Sequence, residues 1–158
     1  MGNQISPTLL ADYHKGTGNT QDGCMVVTPY TDDLIARKLT PLECTRLQGF
    51  PDGWVDIGDW TDTKGKVHKE SDSVKYKALG NSIALPFWQW MTNRMVKCLT
   101  DSGVENPTMA SLFDGIGGFP LVFQNAGCKP VWASEIEEFP IAVTKKHFPE
   151  GSEWHDEG

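Results

Sequence analysis

Residues 112–119 read Leu-Phe-Asp-Gly-Ile-Gly-Gly-Phe, and this stretch decides the fold class. An apolar strand is predicted before the glycines, over Met109 to Phe113, and a helix after them, over Phe119 to Asn125. The same order repeats at once, with a strand over Pro130 to Ser134 and a helix over Phe139 to His147. Such alternation opens a doubly wound α/β sheet. The sequence therefore predicts an α/β fold with only two strands of that sheet.

The glycine turn is a candidate cofactor site. Glycines between a strand and a helix let the backbone approach a ligand, and the free N–H groups at the helix start favour a carboxylate. A nucleotide-type ligand also needs an acceptor for its ribose hydroxyls, about 20 residues further along. Glu135 stands at that spacing, and Ile136 beside it can cover an adenine face. The glycines can equally serve close helix–strand packing alone, so the pattern leaves both interpretations open.

Residues 37–51 predict a short, well-capped helix. Thr40 suits the N-cap, Pro41 suits the first helical position, and Glu43 completes a capping box. Gly49 and Pro51 end the helix. The pattern alone indicates a surface helix with a structural role.

The other segments carry weaker signals. Residues 1–36 read as irregular, with short strands over Ser6 to Leu10 and Cys24 to Val27. Residues 55–74 are polar and predict a loop. A helix is predicted within 82–99, largely buried because apolar residues surround it on most sides. The stretch that follows it predicts a linker over residues 100–108.

Composition limits the function classes. Hydrophobic residues make up 39% of the chain and charged residues 22%, as in soluble globular proteins. No run approaches the roughly 18 apolar residues of a membrane span, and the N-terminus lacks a signal-peptide pattern, so no membrane contact and a cytoplasmic location are expected. The net charge of −7 predicts no basic DNA-binding face, so DNA contact would depend on another segment. The four cysteines have no Cys-x-x-Cys spacing, which predicts reduced thiols and no zinc site.

Taken together, the motifs resemble those of the DNA (cytosine-5)-methyltransferases. Residues 113–118 match the family's Phe-x-Gly-x-Gly-Gly turn, and Glu135 matches its ribose-binding acid. Residues 37–51 resemble the family's late motif Arg-x-Leu-Thr-x-x-Glu-x-x-Arg-Leu-Gln-Gly-Phe-Pro. Residues 77–84, Lys-Ala-Leu-Gly-Asn-Ser-Ile-Ala, resemble its final Gly-Asn motif, and Ser6 to Leu9 resemble the segment just past its target-recognition region.

The order of these motifs is reversed relative to the family. Its usual chain begins with the glycine turn and ends with the Gly-Asn helix, whereas here the Gly-Asn motif comes first. Joining chain ends that lie close in space is a tolerated permutation. The resemblance therefore implies a partial class I (Rossmann-like) S-adenosylmethionine-dependent methyltransferase fold, circularly permuted. The implied divisions are the end of the target-recognition region with the capped helix (1–74), a cofactor-pocket helix (75–99), a linker (100–108) and the first β-α-β-α unit (109–158).

The resemblance also implies an S-adenosylmethionine site. The glycines would allow backbone approach, with Phe113 beneath the cofactor, Glu135 on the ribose and Ile136 on the adenine. The implied cofactor-binding residues are Phe113, Asp114, Gly115, Ile116, Gly117, Gly118, Glu135, Ile136, Asn81 and Ser82. Asp114 can instead be a local cap of the turn, and Arg37, Glu43 and Arg46 are expected to be structural.

The family's catalytic motifs are absent from this sequence. Its nucleophile is the cysteine of Pro-Cys-Gln, and none of the four cysteines here has that context. The Glu-Asn-Val motif and the target-recognition region are missing too, so no catalytic residue is assigned. Three hypotheses follow: half of a split methyltransferase whose complementary chain carries Pro-Cys-Gln and reads DNA, a truncated product of a longer permuted enzyme, or a non-catalytic S-adenosylmethionine-binding regulator or decoy.

Overall fold

The computed structural model describes residues 25–29, 34–149 and 153–154, with side chains from residue 37 to 149. The strand expected over Ser6 to Leu10 lies outside these residues. The described elements, in chain order, are β1 (Met25–Pro29), β2 (Leu34–Lys38), α1 (Pro41–Gln48), β3 (Trp60–Thr61), β4 (Val67–His68), α2 (Asp72–Gly80), α3 (Leu85–Asp101), β5 (Thr108–Leu112), α4 (Gly118–Asn125), β6 (Lys129–Ser134), α5 (Glu138–His147) and β7 (Glu153–Trp154).

Strands β5, β6 and β7 form a parallel sheet with β6 in the middle. Helix α4 connects β5 to β6, and α5 connects β6 to β7, so the predicted α/β alternation is confirmed. The expectation of only two strands was wrong, because β7 has two residues and offers no alternating pattern to detect. None of the described strands pairs with the other edge of β5, and Leu112 at its end is exposed.

Two antiparallel hairpins precede the sheet. β1 pairs with β2, so the interpretation of residues up to 36 as irregular was wrong for this part, while the expected strand near Cys24 to Val27 is found as β1. β3 pairs with β4 in the segment expected to be a loop. The carboxylate of Asp62 organises the second turn, since it accepts hydrogen bonds from the backbone N–H groups of Lys64 (3.0 Å) and Lys66 (2.8 Å). Two-residue strands held by such a turn leave little sequence signature.

Helix α1 has the predicted caps. The Thr40 hydroxyl accepts from the Glu43 backbone N–H, and the Glu43 carboxylate accepts from the Thr40 N–H at 2.8 Å, which completes the capping box. Gly49 ends the helix in the left-handed conformation with φ of 82°. Its Gln48 side chain reaches across to the backbone oxygen of Leu79 at 3.1 Å and ties α1 to α2.

Helices α2 and α3 correct two expectations. α2 begins at Asp72, inside the predicted loop, and its Lys75 is buried between the carboxylates of Asp56 and Glu70, at 2.6 Å from each. α3 has proline in its first turn as predicted, but it is not largely buried. Its apolar residues Phe87, Trp90, Met95 and Leu99 are exposed, because among the described residues only one face of the helix is covered. No helix in this part of the chain is long and apolar enough to cross a bilayer.

One hydrophobic core joins the first half of the described chain to the second. It contains Phe50, Trp54 and Leu79 together with Ile116 and Val143. The Trp54 indole N–H donates to the backbone oxygen of Ile116 at 2.7 Å. This buried hydrogen bond holds the glycine turn against the segment after α1. The turn therefore lies beside α2 and the β3–β4 hairpin.

Candidate cofactor site

The turn between β5 and α4 is shaped by backbone conformations that few residues adopt. Gly115 and Gly117 have positive φ angles of 62° and 82°, and so does Phe113 at 54°. A non-glycine residue in this region is strained, and such strain concentrates at functional sites. The Asp114 N–H donates to the backbone oxygen of Ser134 at 2.9 Å, which joins the turn to the end of β6.

Glu135 follows β6 and is held against the glycine turn. One carboxylate oxygen accepts from the Gly115 N–H at 2.6 Å, and the other accepts from the N–H groups of Ile136 (2.7 Å) and Glu137 (2.9 Å). Charge-assisted hydrogen bonds of this length are strong and directional. The predicted pairing of the glycine turn with the acid after the second strand is therefore present in the fold.

A cavity of about 670 Å³ opens over this pair, within the usual range for small-molecule sites. Five of the residues predicted to bind the cofactor line it. They are Asn81, Phe113, Gly115, Glu135 and Ile136.

The remaining predicted residues lie around the cavity without lining it. Ile116 is fully buried. A Cβ on Gly117 would lie 2.7 Å from Thr144 Cγ2, and one on Gly118 would lie 2.9 Å from Ile83 Cγ1, so both glycines have a packing reason to be glycine. Gly115 has open space instead, because a Cβ on this residue would meet nothing within 4 Å. The glycine pattern thus combines packing glycines with one that faces the cavity.

Ser82 and Asp114 complete the predicted set. Ser82 follows Asn81 at the end of α2, where its N–H donates to the Leu79 oxygen at 3.1 Å. Asp114 is buried, and burial raises the pKa of its carboxyl to about 6, with the charge of Glu135 adding to the rise. The Ser111 hydroxyl acts in the opposite direction and lowers this pKa. The side-chain oxygens of Ser111 and Asp114 have no well-aligned hydrogen-bond partner among the described residues. Neither Ser82 nor Asp114 lines the cavity.

Two large apolar side chains stand exposed at the site. Phe113 is 84% exposed and Ile136 is 72% exposed. Both belong to the cavity lining. Exposed apolar groups that converge on a concave site with a few fixed polar groups suit a ligand with a flat apolar part and a polar part.

One wall of the cavity was not predicted from the sequence. Trp60 and His68 of the β3–β4 hairpin line it, as do Lys77 of α2 and the segment 137–140. The two hairpin rings stack with centres 4.4 Å apart and planes inclined by 13°. The available signal was an aromatic pair within a polar stretch, at positions that face each other only once the hairpin is formed.

The three charged residues expected to be structural form ion pairs, Arg37 of β2 with Glu43 of α1 and Arg46 of α1 with Asp52. Arg37 contacts both oxygens of Glu43, at 2.8 and 2.7 Å, and this contact is the main cause of the lowered Glu43 pKa, about 2. Arg46 makes an equally direct pair with Asp52 on the surface. None of these residues lines the cavity.

A family model described as C-5 cytosine-specific DNA methylase matches residues 8–97 and 108–156. The chain belongs to this methylase family. The first matched stretch carries α1, the β3–β4 hairpin, α2 and most of α3. The second carries the glycine turn and Glu135, so the cavity is built from both stretches.

Relatives of this chain come from a phage and from bacteria. It is 32% identical to the DNA N-6-adenine-methyltransferase of Escherichia phage P1, over 58% of this chain and 16% of that protein. It is 30% identical to the Type II methyltransferase M1.ScrFI of Lactococcus lactis subsp. cremoris, over 63% of this chain and 21% of that protein. The Type II methyltransferase M.BanI of Aneurinibacillus aneurinilyticus is 39% identical over 32% of this chain and 9% of its own length. The chain thus spans about a fifth or less of these relatives.

Proposed function

We propose that this methylase-family chain is the S-adenosylmethionine-binding part of a DNA (cytosine-5)-methyltransferase, which methylates C5 of cytosine in DNA. The observation that carries the proposal is the Glu135 carboxylate, fixed 2.6 Å from the Gly115 N–H in the wall of a cavity that Phe113 and Ile136 also line. The choice of cytosine C5 rests on the description of the matching family.

The residues of the cavity fit this cofactor. A carboxylate has about four acceptor positions, and three are used by the backbone donors around Glu135, so one remains for a ribose hydroxyl. Exposed Phe113 and Ile136 offer apolar surface to a base. Asn81 adds an amide that can bond to the amino-acid part. The bound cofactor supplies the methyl group, while these side chains bind and orient it.

We further propose that catalysis and DNA contact come from another segment or a complementary chain with Pro-Cys-Gln. The support is the net charge of −7 and the absence of that motif from the sequence. We also propose that the order of the motifs is circularly permuted. The support is the reversed motif order and a family match in two separate stretches, residues 8–97 and 108–156. The division of the chain at residues 74, 99 and 108 belongs to this proposal.

Calorimetric titration with S-adenosylmethionine tests the cofactor site. Wild type is expected to bind one equivalent, and Glu135→Gln is expected to weaken binding at least about tenfold, as for loss of a hydrogen bond to a charged group. The matched control is Asp101→Asn, because the Asp101 carboxylate is exposed, pairs with Lys97 at 2.8 Å and does not line the cavity. The control is expected to stay within about twofold, on the scale of exposed ion pairs. A folded wild type without saturable binding would contradict the proposal.

The proposed dependence on a second chain has its own assay. Methyl transfer to cytosine in duplex DNA is measured with this chain alone, with a Pro-Cys-Gln-bearing partner alone, and with both. Turnover only in the mixture is the expected result. Turnover by either protein alone at the rate of the mixture would contradict the need for complementation.

A further inference from the structure

The β3–β4 hairpin stands apart from the glycine turn in sequence but shares its cavity. Trp60 and His68 line the cavity together with Phe139 and Pro140 of α5. Trp60 packs edge-on against Phe139, with ring centres 5.5 Å apart and planes at 66°. The aromatic side of the cavity is therefore formed where the hairpin meets the start of α5.

Two hydrogen bonds between Thr63 and Glu138 fasten the hairpin to α5. Thr63 donates its backbone N–H to one carboxylate oxygen of Glu138 at 2.9 Å and its hydroxyl to the other at 2.7 Å. These bonds lower the pKa of Glu138, with the backbone bond as the larger cause. Glu138 also lies in the first turn of its helix, where a negative charge is favoured. Both effects keep Glu138 ionised and able to hold Thr63.

Hydrogen bonds to the Asp62 carboxylate join the turn of the hairpin to His68. The carboxylate of Asp62 bonds His68 Nε2 at 2.8 Å, in addition to the two turn N–H groups. This fixes the His68 ring beneath the Trp60 ring. The Trp60 indole N–H is buried and donates to no atom of the described residues, so its own hydrogen bonding does not position the ring. The position of Trp60 depends on its stacking and on the Thr63–Glu138 contact.

We propose that the β3–β4 hairpin is a latched wall of the cofactor cavity that contacts the nucleoside part of the ligand. The Trp60–His68 pair is the contact surface, and Thr63 with Glu138 is the latch. This inference rests on the proposed cofactor site. Glu135 places the sugar, and the flat aromatic surfaces beside residues 136–140 suit a purine base, whereas the Asn81 amide at the end of α2 suits polar atoms. Trp60 is thus a ligand-contacting residue, and Thr63 is a positioning residue for ligand binding.

Titration of the whole chain with S-adenosylhomocysteine and with adenosine tests the latch. Thr63→Val keeps the shape and the backbone donor but removes the hydroxyl, and about fivefold weaker binding is expected, equivalent to about 1 kcal/mol. Trp60→Leu is expected to weaken binding about tenfold or more. Each substitution should weaken the binding of both ligands by the same factor, because both ligands carry the nucleoside. Lys66→Ala, in the same turn with its backbone donor retained, is the control and should bind as wild type.

The outcomes separate the two proposals. If wild type binds the ligands and the variants bind them more weakly, the latch is supported. If wild type binds and Thr63→Val and Trp60→Leu bind with the same affinity, the latch is overturned while the proposed cofactor site is retained. No binding by folded wild type overturns both. Circular dichroism verifies folding, and if Trp60→Leu fails to fold, Glu138→Gln replaces it as the second variant, with the same weakening expected as for Thr63→Val.

Discussion

Replacement of Asp114 by asparagine should stabilise this protein at neutral pH. Asp114 is only 5% exposed, and its carboxylate oxygens have no hydrogen-bond partner among the described residues. Burial raises its pKa from an ordinary value near 3.8 to about 6. A pKa difference of one corresponds to about 1.4 kcal/mol, so the ionised side chain lowers the free energy of unfolding by up to about 3 kcal/mol. The asparagine side chain would avoid that loss because it carries no charge.

The pH dependence follows from the direction of the pKa change. Between pH 3.8 and 6 the folded protein holds a proton on Asp114 that the unfolded chain has released. Stability from this group is therefore fully present below the unfolded pKa and is lost as the pH rises through the folded pKa. The difference between Asp114→Asn and wild type should be near zero at pH 4, grow up to about pH 6 and stay constant above it. Carboxyls with lowered pKa values, such as Glu43, change the stability with pH in the opposite direction. Their contributions are the same in the variant and in wild type, so they cancel in the difference.

Urea unfolding at half-unit steps from pH 4 to 8 measures this difference. Asp101→Asn is the matched control, since Asp101 is exposed and pairs with Lys97 at 2.8 Å, an ion pair that contributes little to stability. An Asp114→Asn variant that is equally or less stable than wild type at pH 7.5 would refute the reasoning. So would a stability difference that is the same at pH 4 and pH 8.

Three further substitutions test the local geometry. Thr40→Ala removes the side-chain acceptor for the Glu43 N–H and should lower the free energy of unfolding by about 1 kcal/mol in urea titrations, whereas an unchanged value would show that the capping box contributes nothing. Gly117→Ala should lower the free energy of unfolding by more than about 2 kcal/mol, because the new Cβ would lie 2.7 Å from Thr144 Cγ2 and the residue would also be strained in the left-handed conformation. Gly115→Ala should cost only the strain, about 1 kcal/mol, and equal losses of thermal midpoint for the two glycines would contradict the packing argument.

The predictable parts of the fold were those with local causes. Thr40, Glu43 and Gly49 satisfy the ends of α1 through neighbours within a few residues, so their pattern alone located the helix. The glycine turn and Glu135 were located for a similar reason, because a strand–turn–helix unit of fixed length brings the ends of two adjacent parallel strands together.

The parts that escaped prediction depend on distant contacts. α2 begins in a polar stretch, and its buried Lys75 is stabilised by Asp56 and Glu70, which no helical periodicity reveals. The exposure of α3 was misjudged because apolar residues all round a helix indicate burial only when partners exist on every side. Trp60 reaches the site through contacts such as Thr63 with Glu138, which are 75 residues apart.

The placement of the cavity explains why motif order matters little to the site. Its walls come from both stretches of the family match, and short contacts cross between them, such as Lys77 Nζ to Glu137 at 2.9 Å and the Trp54 N–H to Ile116 at 2.7 Å. These contacts require that the stretches be neighbours in space, in whichever order the chain connects them. A ligand that touches both walls binds only when the stretches are docked, so at 100 times its Kd it adds about 2.7 kcal/mol to the stability of the docked form. Under the proposed function, cofactor binding and assembly of the two stretches are therefore one coupled equilibrium.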